Sequence, residues 1–256
     1  MTLLYVKFYL STSIDDAWHI LAEIGVTPLY GEQEPGGKAV LYAHLPEALV
    51  DEIFPFEWQE AEKPEIDWTE QWKAHAPGYD NGFLTIPIEG YGNVRLRPGP
   101  GFGDLSHPST RLVLQMMPEI IPGRPVVDVG CGSGVLSLCA VAMGAKEVFG
   151  IDISPEALQH AIENKALNEM EGVTFSFPDE ILFVPDNPVI LMNMIQSEQV
   201  VAWESLSQLH PIQATLITSG ILSCDKEKYL DLAEKWAWTL RKEVEEDGWA
   251  GFVFEK

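Results

Sequence analysis

The sequence predicts an α/β fold with a mostly parallel central sheet, preceded by a small α+β domain. Three observations support this. A β-branched run leads into glycines at every second position, Gly130, Gly132 and Gly134. A helix-like apolar segment follows, and a second apolar run then ends in Asp152. From there to the end, strand-like and helix-like segments alternate, which is the pattern of a nucleotide-binding sheet.

Length and composition limit the possible classes of function. The 256 residues can hold one large domain or an ordinary domain with a small one. The formal net charge of −23 argues against stable binding to nucleic acid, because phosphates would be repelled, and it suits a basic protein partner. Cys131, Cys139 and Cys224 form no C-x-x-C pair, which predicts a reduced, cytoplasmic setting. The first ten residues alternate like a strand rather than a signal peptide, and Val135–Ala145 is too short to span a membrane.

Residues 1–58 are predicted to form the small domain. Its elements are a strand over Leu4–Leu10, a helix capped by Ser13 and ending at Gly25, paired strands Val26–Tyr30 and Lys38–Ala43, and a helix over Pro46–Ile53. The β-α-β-β-α order indicates a ferredoxin-like layer.

Residues 59–78 are predicted to form a linker and a helix. The stretch that starts at Glu57 is acidic and contains proline. Trp68 and Trp72 then stand four residues apart, on one face of a helix. This helix either docks on a neighbouring domain or forms a wall of a ligand cleft.

Residues 79–256 are predicted to form the large domain. A Gly/Pro-rich loop from Arg97 to Arg111 precedes its first long strand, and such a loop often covers a ligand, although a plain surface turn is the alternative. The further predicted elements are strands 83–88 and 93–97, a helix to Met117, a helix from Ser133, a helix capped by Ser154, strands 173–177, 189–194 and 213–218, and a hairpin of 239–244 with 248–254.

The glycine turn indicates the kind of ligand. Glycine lets the backbone approach a ligand closely, and an acid about twenty residues on can bind ribose hydroxyls. Here an acid, Asp128, stands two residues before the first glycine. The pattern resembles motif I of the class I methyltransferases, which bind S-adenosylmethionine (SAM), and it implies a Rossmann-like sheet with an antiparallel last strand. SAM carries a sulfonium and an ammonium but no pyrophosphate, so a nearby acid suits it. A nicotinamide nucleotide, or no ligand, is the alternative.

Four blocks of sequence extend this resemblance over most of the chain. They are Asp67–Trp72, the loop residues Pro100–Gly103 with His107–Thr110, Asp128–Ser137, and Thr218–Leu222 after the fifth strand. Together they are similar to the ribosomal protein L-eleven methyltransferase (PrmA) family. The resemblance implies SAM-dependent methylation of lysine and N-terminal amines on a basic ribosomal protein, which the N-terminal domain recognises. Asp104-Leu105-Ser106 departs from the family pattern, which has Thr-Gly at its start.

The candidate site combines the glycine turn with the family blocks. Asn193, at the end of the fourth strand, is the candidate catalytic residue: its side-chain oxygen would accept an N–H and aim the amine, although it could instead cap the strand end. The candidate cofactor-binding residues are Asp128, Gly130, Cys131, Gly132, Gly134, Asp152, Ile153, Thr110, His107, Phe102 and Asn193. His107 could equally cap its own helix. No His/Cys/Asp cluster has the spacing of a metal site.

Two other functions remain open. A protein arginine methyltransferase-like enzyme has a similar glycine turn and a loop with two glutamates, to which Glu198 and Glu204 bear a distant likeness at a short spacing. A non-catalytic SAM-binding assembly factor is the second alternative, and the altered Asp104–Ser106 loop motivates it.

Overall fold

A computed structural model describes residues 3–14, 17, 20, 21, 24–33, 38–50, 52, 54–62, 67–180 and 185–256. The chain divides into two compact units, Met1–Ile66 and Asp67–Lys256.

The first unit contains a four-stranded antiparallel sheet. Its strands are β1 (Leu3–Tyr9), β2 (Thr27–Gln33), β3 (Ala39–Pro46) and β4 (Glu57–Glu60). The spatial order β2-β3-β1-β4 is that of the ferredoxin-like layer predicted from the sequence. Val6 and Phe8 of β1 are fully buried, as alternation along a half-buried strand requires, and they share a core with Leu21.

Two predictions for this unit are wrong. The linker was expected to start near Glu57, but Glu57–Glu60 form a strand that pairs with β1, with Phe8 opposite Trp58. Pairing there satisfies the backbone of β1 on its second side, which an acidic composition does not reveal. Of the described residues in the helix predicted over Pro46–Ile53, only Glu47–Leu49 are helical, as a 3-10 helix, because β3 continues to Pro46. Asp16, Trp18 and residues 34–37 and 63–66 lie outside the described residues.

The second unit contains a seven-stranded sheet and a three-stranded meander. The meander is β5 (Tyr79–Asp80), β6 (Phe83–Ile88) and β7 (Gly92–Leu96). The strands of the large sheet are β8 (Pro125–Val129), β9 (Glu147–Ile151), β10 (Val173–Ser176), β11 (Val189–Asn193), β12 (Thr215–Leu222), β13 (Thr239–Glu246) and β14 (Trp249–Glu255). The helices are α1 (Trp68–His75), α2 (Pro108–Met116), α3 (Val135–Ala142), α4 (Pro155–Leu167), α5 (Gln196–Ser205) and α6 (Lys226–Lys235).

The large sheet has the topology that the sequence predicts. Its order is β10-β9-β8-β11-β12-β14-β13, with β14 antiparallel to both of its neighbours. All five residues of β8 are buried, as are the first four of β11, because helices cover both faces of these central strands. The carboxyl ends of β8, β9 and β11 meet at one edge, which is where ligands bind in such sheets.

Three local details differ from prediction or resolve an alternative. Helix α3 begins at Val135 rather than at Ser133, because Gly134 in a left-handed conformation forms its N-cap. The block Ser219–Leu222 lies inside β12 rather than after it, since Ile221 and Leu222 still pair with β14. Trp72 is buried in the core of the second unit, so α1 packs against its own unit. No helix among the described residues has the length and apolar character needed to cross a membrane.

Candidate cofactor-binding site

In the glycine turn between β8 and α3, every backbone N–H from Gly130 to Gly134 donates a hydrogen bond within the protein. Those of Gly130 and Cys131 donate to the Ile151 carbonyl at 2.8 and 2.9 Å, and that of Gly134 donates to the Cys131 carbonyl at 2.8 Å. Gly132 N donates to Asp152 Oδ2 at 3.0 Å. The N–H of Ser133 reaches the Phe102 carbonyl at 2.9 Å. A turn in this state has no donors left for a pyrophosphate, which disfavours a dinucleotide.

Gly132 is the position in this turn where a side chain is least tolerated. Its φ is +54°, a region that residues with a Cβ rarely adopt. An added Cβ would lie 2.7 Å from the Phe102 carbonyl oxygen. The turn is therefore shaped by contact with the Gly/Pro loop as well as by its own sequence.

Asp152 directly follows β9, and its carboxylate bonds the backbone of the glycine turn. Its Oδ1 accepts from Ser154 N at 2.9 Å, while Oδ2 accepts from Gly132 N. Each carboxylate oxygen can accept two hydrogen bonds, so the group retains acceptor capacity for a hydroxyl. Ile153 beside it is 78% exposed and offers an apolar surface at the same edge.

Asp128 and Cys131 are buried beneath the turn. Ser137 Oγ donates to Asp128 Oδ2 at 2.6 Å, which joins β8 to α3. Burial raises the pKa of Asp128 to about 7, and the charge of Asp152 adds to the effect. Burial also raises the pKa of the Cys131 thiol. The side chains of both residues support the turn from inside the protein.

The Gly/Pro loop lies directly on the glycine turn. A Cβ on Gly101 would be 2.5 Å from the Gly132 carbonyl carbon, so the two backbones touch. Phe102 is 53% exposed, although its backbone is bonded to Ser133. The structure thus brings together the loop and the turn that the sequence assigned to one site.

The altered part of this loop has its own internal support. Asp104 Oδ1 accepts from the N–H and the hydroxyl of Ser106. Leu105 adopts a φ of +65°, which costs roughly 1–2 kcal/mol relative to glycine, and its side chain packs against the core. Arg111 donates to the carbonyls of Leu105 and Ser106 at 3.0 and 2.8 Å, and its Nε bonds Glu246 at 2.7 Å. Asp104 therefore builds a turn.

Asn193 is held by one half of its amide only. Its Nδ2 donates to Thr110 Oγ1 at 3.1 Å, and Thr110 is fully buried on α2. The buried Oδ1 of Asn193 has no hydrogen-bond partner among the described residues. Leaving a buried acceptor unsatisfied costs about 1–3 kcal/mol, so a ligand that donates an N–H there would be favoured.

Gln199 fixes the strand ends around Asn193 and was not predicted. Its Nε2 donates to the carbonyls of Met194 and Ser219 at 2.7 and 2.9 Å. Its Oε1 accepts from Thr218 Oγ1 at 2.9 Å and from the Tyr229 hydroxyl. This buried amide is fully satisfied, so the end of β11 is fixed to the middle of β12.

An aromatic group lines the same edge. The ring of His107 lies 4.4 Å from that of Trp249 and 5.6 Å from that of Phe102, centroid to centroid. His107 Nδ1 accepts from Ser109 N at 3.2 Å, so His107 caps α2, one of the two roles expected for it. Burial, followed by the charge of Arg111, lowers the pKa of His107, so the ring is neutral near pH 7.

Acidic groups give the site a negative potential. The carboxyl of Glu198 is crowded by protein atoms although the residue as a whole is exposed. This desolvation, followed by the charge of Asp152, raises the pKa of Glu198. Negative charge beside a turn without free donors suits a positively charged ligand, such as one with a sulfonium and an ammonium. Within the described part of the chain, no group of three or more His, Cys, Asp and Glu residues could hold a metal ion.

Known proteins resemble this chain in sequence over most of its length. The family model for ribosomal protein L11 methyltransferase (PrmA) matches residues 16–256. The chain belongs to this family. A ribosomal protein L11 methyltransferase from Teredinibacter turnerae is 32% identical over 84% of this chain and 78% of its own length. One from Synechococcus elongatus is 30% identical, over 77% and 71%.

A solved structure agrees in fold. The crystal structure of a ribosomal protein L11 methylase from Lactobacillus delbrueckii subsp. bulgaricus has a TM-score of 0.54 and 24% identity, covering 63% of this chain and 83% of that one. As a member of the L11 methyltransferase family, the protein is a SAM-dependent protein methyltransferase with a class I methyltransferase fold.

Proposed function

We propose that this L11 methyltransferase family member methylates lysine and N-terminal amino groups of a basic, L11-type ribosomal protein in the cytoplasm. The observation that carries the proposal is the unpartnered Oδ1 of Asn193, beside the glycine turn. An amine nitrogen can donate an N–H to that oxygen. The names of the relatives and the net charge of −23 favour a basic ribosomal protein as acceptor.

The cofactor would lie along the carboxyl edge of the sheet. Asp152 would bind the ribose hydroxyls through its remaining lone pairs, and the exposed Ile153 would pack against the adenine. The methionine part would pass the glycine turn, whose shape Asp128, Gly130, Cys131 and Gly134 maintain. Phe102 and His107 would border the cofactor from the loop and α2, whereas the buried Thr110, predicted as a cofactor contact, would act through its bond to Asn193.

The reaction requires a neutral amine aimed at the methyl carbon. The bound cofactor supplies an electrophilic methyl group, and the new N–C bond forms as the C–S bond breaks. Free lysine, with a pKa near 10.4, is neutral in only about one molecule in 2,500 at pH 7, whereas an N-terminal amine is neutral far more often. The aromatic rings of His107 and Trp249, 4.4 Å apart, would reduce the access of water to the amine, which favours its neutral form.

Asn193 would orient that amine. Because Thr110 holds the Nδ2 half of the amide, Oδ1 points in one direction and accepts one N–H. The lone pair of nitrogen is then aimed away from the bond to Asn193. Water takes the excess proton before the amine docks, so no strong general base is required.

The N-terminal unit would recognise the protein substrate. Its sequence contains several times more Asp and Glu than Lys and no Arg, which suits a basic partner. The role assigned to residues 1–58 rests on the family resemblance and on this charge. The class I domain at 79–256 would carry the chemistry.

Radiolabelled SAM and purified L11 provide the test. We expect label on L11, and mass spectrometry should place the methyl groups on lysine or the N-terminal amine. Methylated arginine instead would contradict the proposal. Glu198 and Glu204 both lie on α5 and are six residues apart, so their side chains are separated by about 120° around the helix axis. They therefore do not form a pair that could clamp one guanidinium.

A second outcome would also overturn the proposal. If calorimetry detects SAM binding but no ribosomal protein is labelled, the chain is a SAM-binding assembly factor or modifies another acceptor. The internally bonded Asp104–Ser106 turn gives no support to that alternative.

A further inference from the structure

Helix α4 and the residue that caps its C-terminus carry three polar side chains, each four residues apart, that all bond the backbone of residues 95–101. The outermost is Asn168. Its Nδ2 donates to the Arg95 carbonyl at 2.6 Å, and its Oδ1 accepts from Arg95 N at 2.8 Å. A side-chain amide thus bonds both backbone groups of Arg95, as a neighbouring strand would.

The middle residue, Asn164, joins this segment to the glycine turn. It is fully buried, and its Oδ1 accepts from Arg97 N at 2.8 Å. Its Nδ2 donates to the Ser133 carbonyl at 2.9 Å. One amide therefore fixes the start of the Gly/Pro loop relative to the turn.

The innermost residue, His160, bonds the loop at two points. Its Nδ1 accepts from Gly101 N at 3.0 Å and its Nε2 donates to the Arg97 carbonyl at 2.8 Å. These partners require the neutral ring with its proton on Nε2. A Cβ on Gly99 would lie 2.5 Å from Nε2, so the loop runs in contact with the ring.

We propose that His160, Asn164 and Asn168 are positioning residues that hold residues 95–101 in register on the glycine turn, and that SAM is retained because of them. All the bonding partners of the three are backbone groups of this chain. The consequence is that residues 95–101 are fixed. The bonds from α4, rather than the conformational preference of the loop itself, place Gly101 and Phe102 against the glycine turn. The inference depends on SAM binding and is independent of which amine is methylated.

The state of His160 makes this arrangement sensitive to pH. The ring is buried against Trp72, and burial lowers its pKa; the bond to the Arg97 carbonyl and the charge of Glu163 oppose that shift. A second proton would have to sit on Nδ1, facing the N–H of Gly101. Because burial holds the pKa of His160 below its ordinary value, the neutral ring and its bond to Gly101 persist to lower pH than in a free imidazole, and acid favours the released loop.

The test compares His160→Leu with His160→Asn. Leucine removes both bonds, whereas the Oδ1 of asparagine stands near the position of Nδ1 and can still accept from Gly101. We expect His160→Leu to weaken the Kd for SAM about tenfold and to speed amide exchange at residues 99–103 in protein without cofactor. His160→Asn should recover most of the affinity.

The pH profile distinguishes positioning from general stability. From about pH 7.5 to about pH 5.5, SAM affinity of the wild type should fall more steeply than that of His160→Asn, because Asp128 beneath the turn titrates in both proteins whereas His160 titrates only in the wild type. Gln159→Ala is the matched control on the same helix, because this exposed side chain bonds only the neighbouring Glu163 among the described residues. It should change neither Kd nor exchange.

Asn168→Ala keeps the proposal testable if His160→Leu does not fold. Within residues 95–101, Asn168 bonds only Arg95. We therefore expect faster amide exchange at Arg95 and a Kd for SAM that is about two- to threefold weaker, a smaller loss than for His160→Leu. The proposal is overturned if folded variants at His160 or Asn168 bind SAM like the wild type with unchanged exchange. It is also overturned if His160→Asn keeps the pH dependence of the wild type.

Discussion

Two segments at the carboxyl edge of the same sheet use their hydrogen-bonding groups in opposite ways. In the glycine turn after β8, every backbone N–H from Gly130 to Gly134 has a partner within the protein. At the end of β11, the Oδ1 of Asn193 has none among the described residues. In the proposed function, the first segment would therefore contact the cofactor by shape and charge, and the second would offer one oriented acceptor to an N–H of the substrate amine. Cofactor affinity and chemistry should respond to separate substitutions.

The largest expected effect is at the glycine turn. Gly132→Ala places a Cβ against the Phe102 carbonyl at a positive φ, so the turn and the loop must separate. We expect SAM affinity to fall about 100-fold by calorimetry. Gly123→Ala is the matched control, since its φ is +75° with nothing within 4 Å of the added Cβ. Equal losses in both variants would mean that backbone strain, and not this contact, is responsible.

A loss of similar size, but in turnover, is expected at Asn193. Asn193→Leu keeps the size of the side chain and removes the acceptor. Because misdirecting a nucleophile can cost about 100-fold, we expect kcat with L11 to fall by about that factor. Wild-type kcat in this variant would assign Asn193 to a structural role at the strand end.

A smaller effect is expected at the residue that orients Asn193. Thr110→Val preserves shape and removes the hydroxyl that accepts from Nδ2. The amide can then rotate, and we expect kcat to fall about five- to tenfold with little change in SAM affinity. The same substitution combined with Asn193→Leu should add nothing further, because both act on one group. Additive losses in the double variant would separate their roles.

The smallest effect concerns stability against pH. The pKa of Asp128 is raised by burial to about 7 in the folded protein, above its unfolded value, so the folded state holds the proton more tightly. The free energy of unfolding should therefore decrease as pH rises through about 7. Asp128→Asn should reduce this dependence, measured by thermal unfolding between about pH 5 and about pH 8. An unchanged slope would place the titrating group elsewhere.

The main residues of the candidate site could be predicted from the sequence because each stands in a recognisable local pattern. Glycines at alternate positions after β8, the acid after β9 and the asparagine that ends β11 all lie at strand ends, where ligands bind in such sheets. Gln199, Trp249 and His160 carry no such signal. Most of their partners lie about twenty to more than a hundred residues away in the chain, and in the sequence a buried amide on a helix cannot be distinguished from a solvent-exposed one.

The two errors in the first unit have a similar cause. β4 has acidic residues at both ends, so its composition indicates a linker, whereas its pairing with β1 is decided by backbone groups. The segment after Pro46 is short, and how far β3 extends decides whether a helix can follow it. Neither fact is present in the local pattern.

One titration series tests the separation of binding from chemistry most directly. SAM is titrated into the wild type, Gly132→Ala and Asn193→Leu, and methyl transfer to L11 is then measured in each at saturating SAM. We expect Asn193→Leu to bind SAM within about threefold of the wild type while losing turnover, and Gly132→Ala to lose affinity first. Normal SAM affinity in Gly132→Ala, together with lost SAM affinity in Asn193→Leu, would contradict the separation of cofactor binding from chemistry.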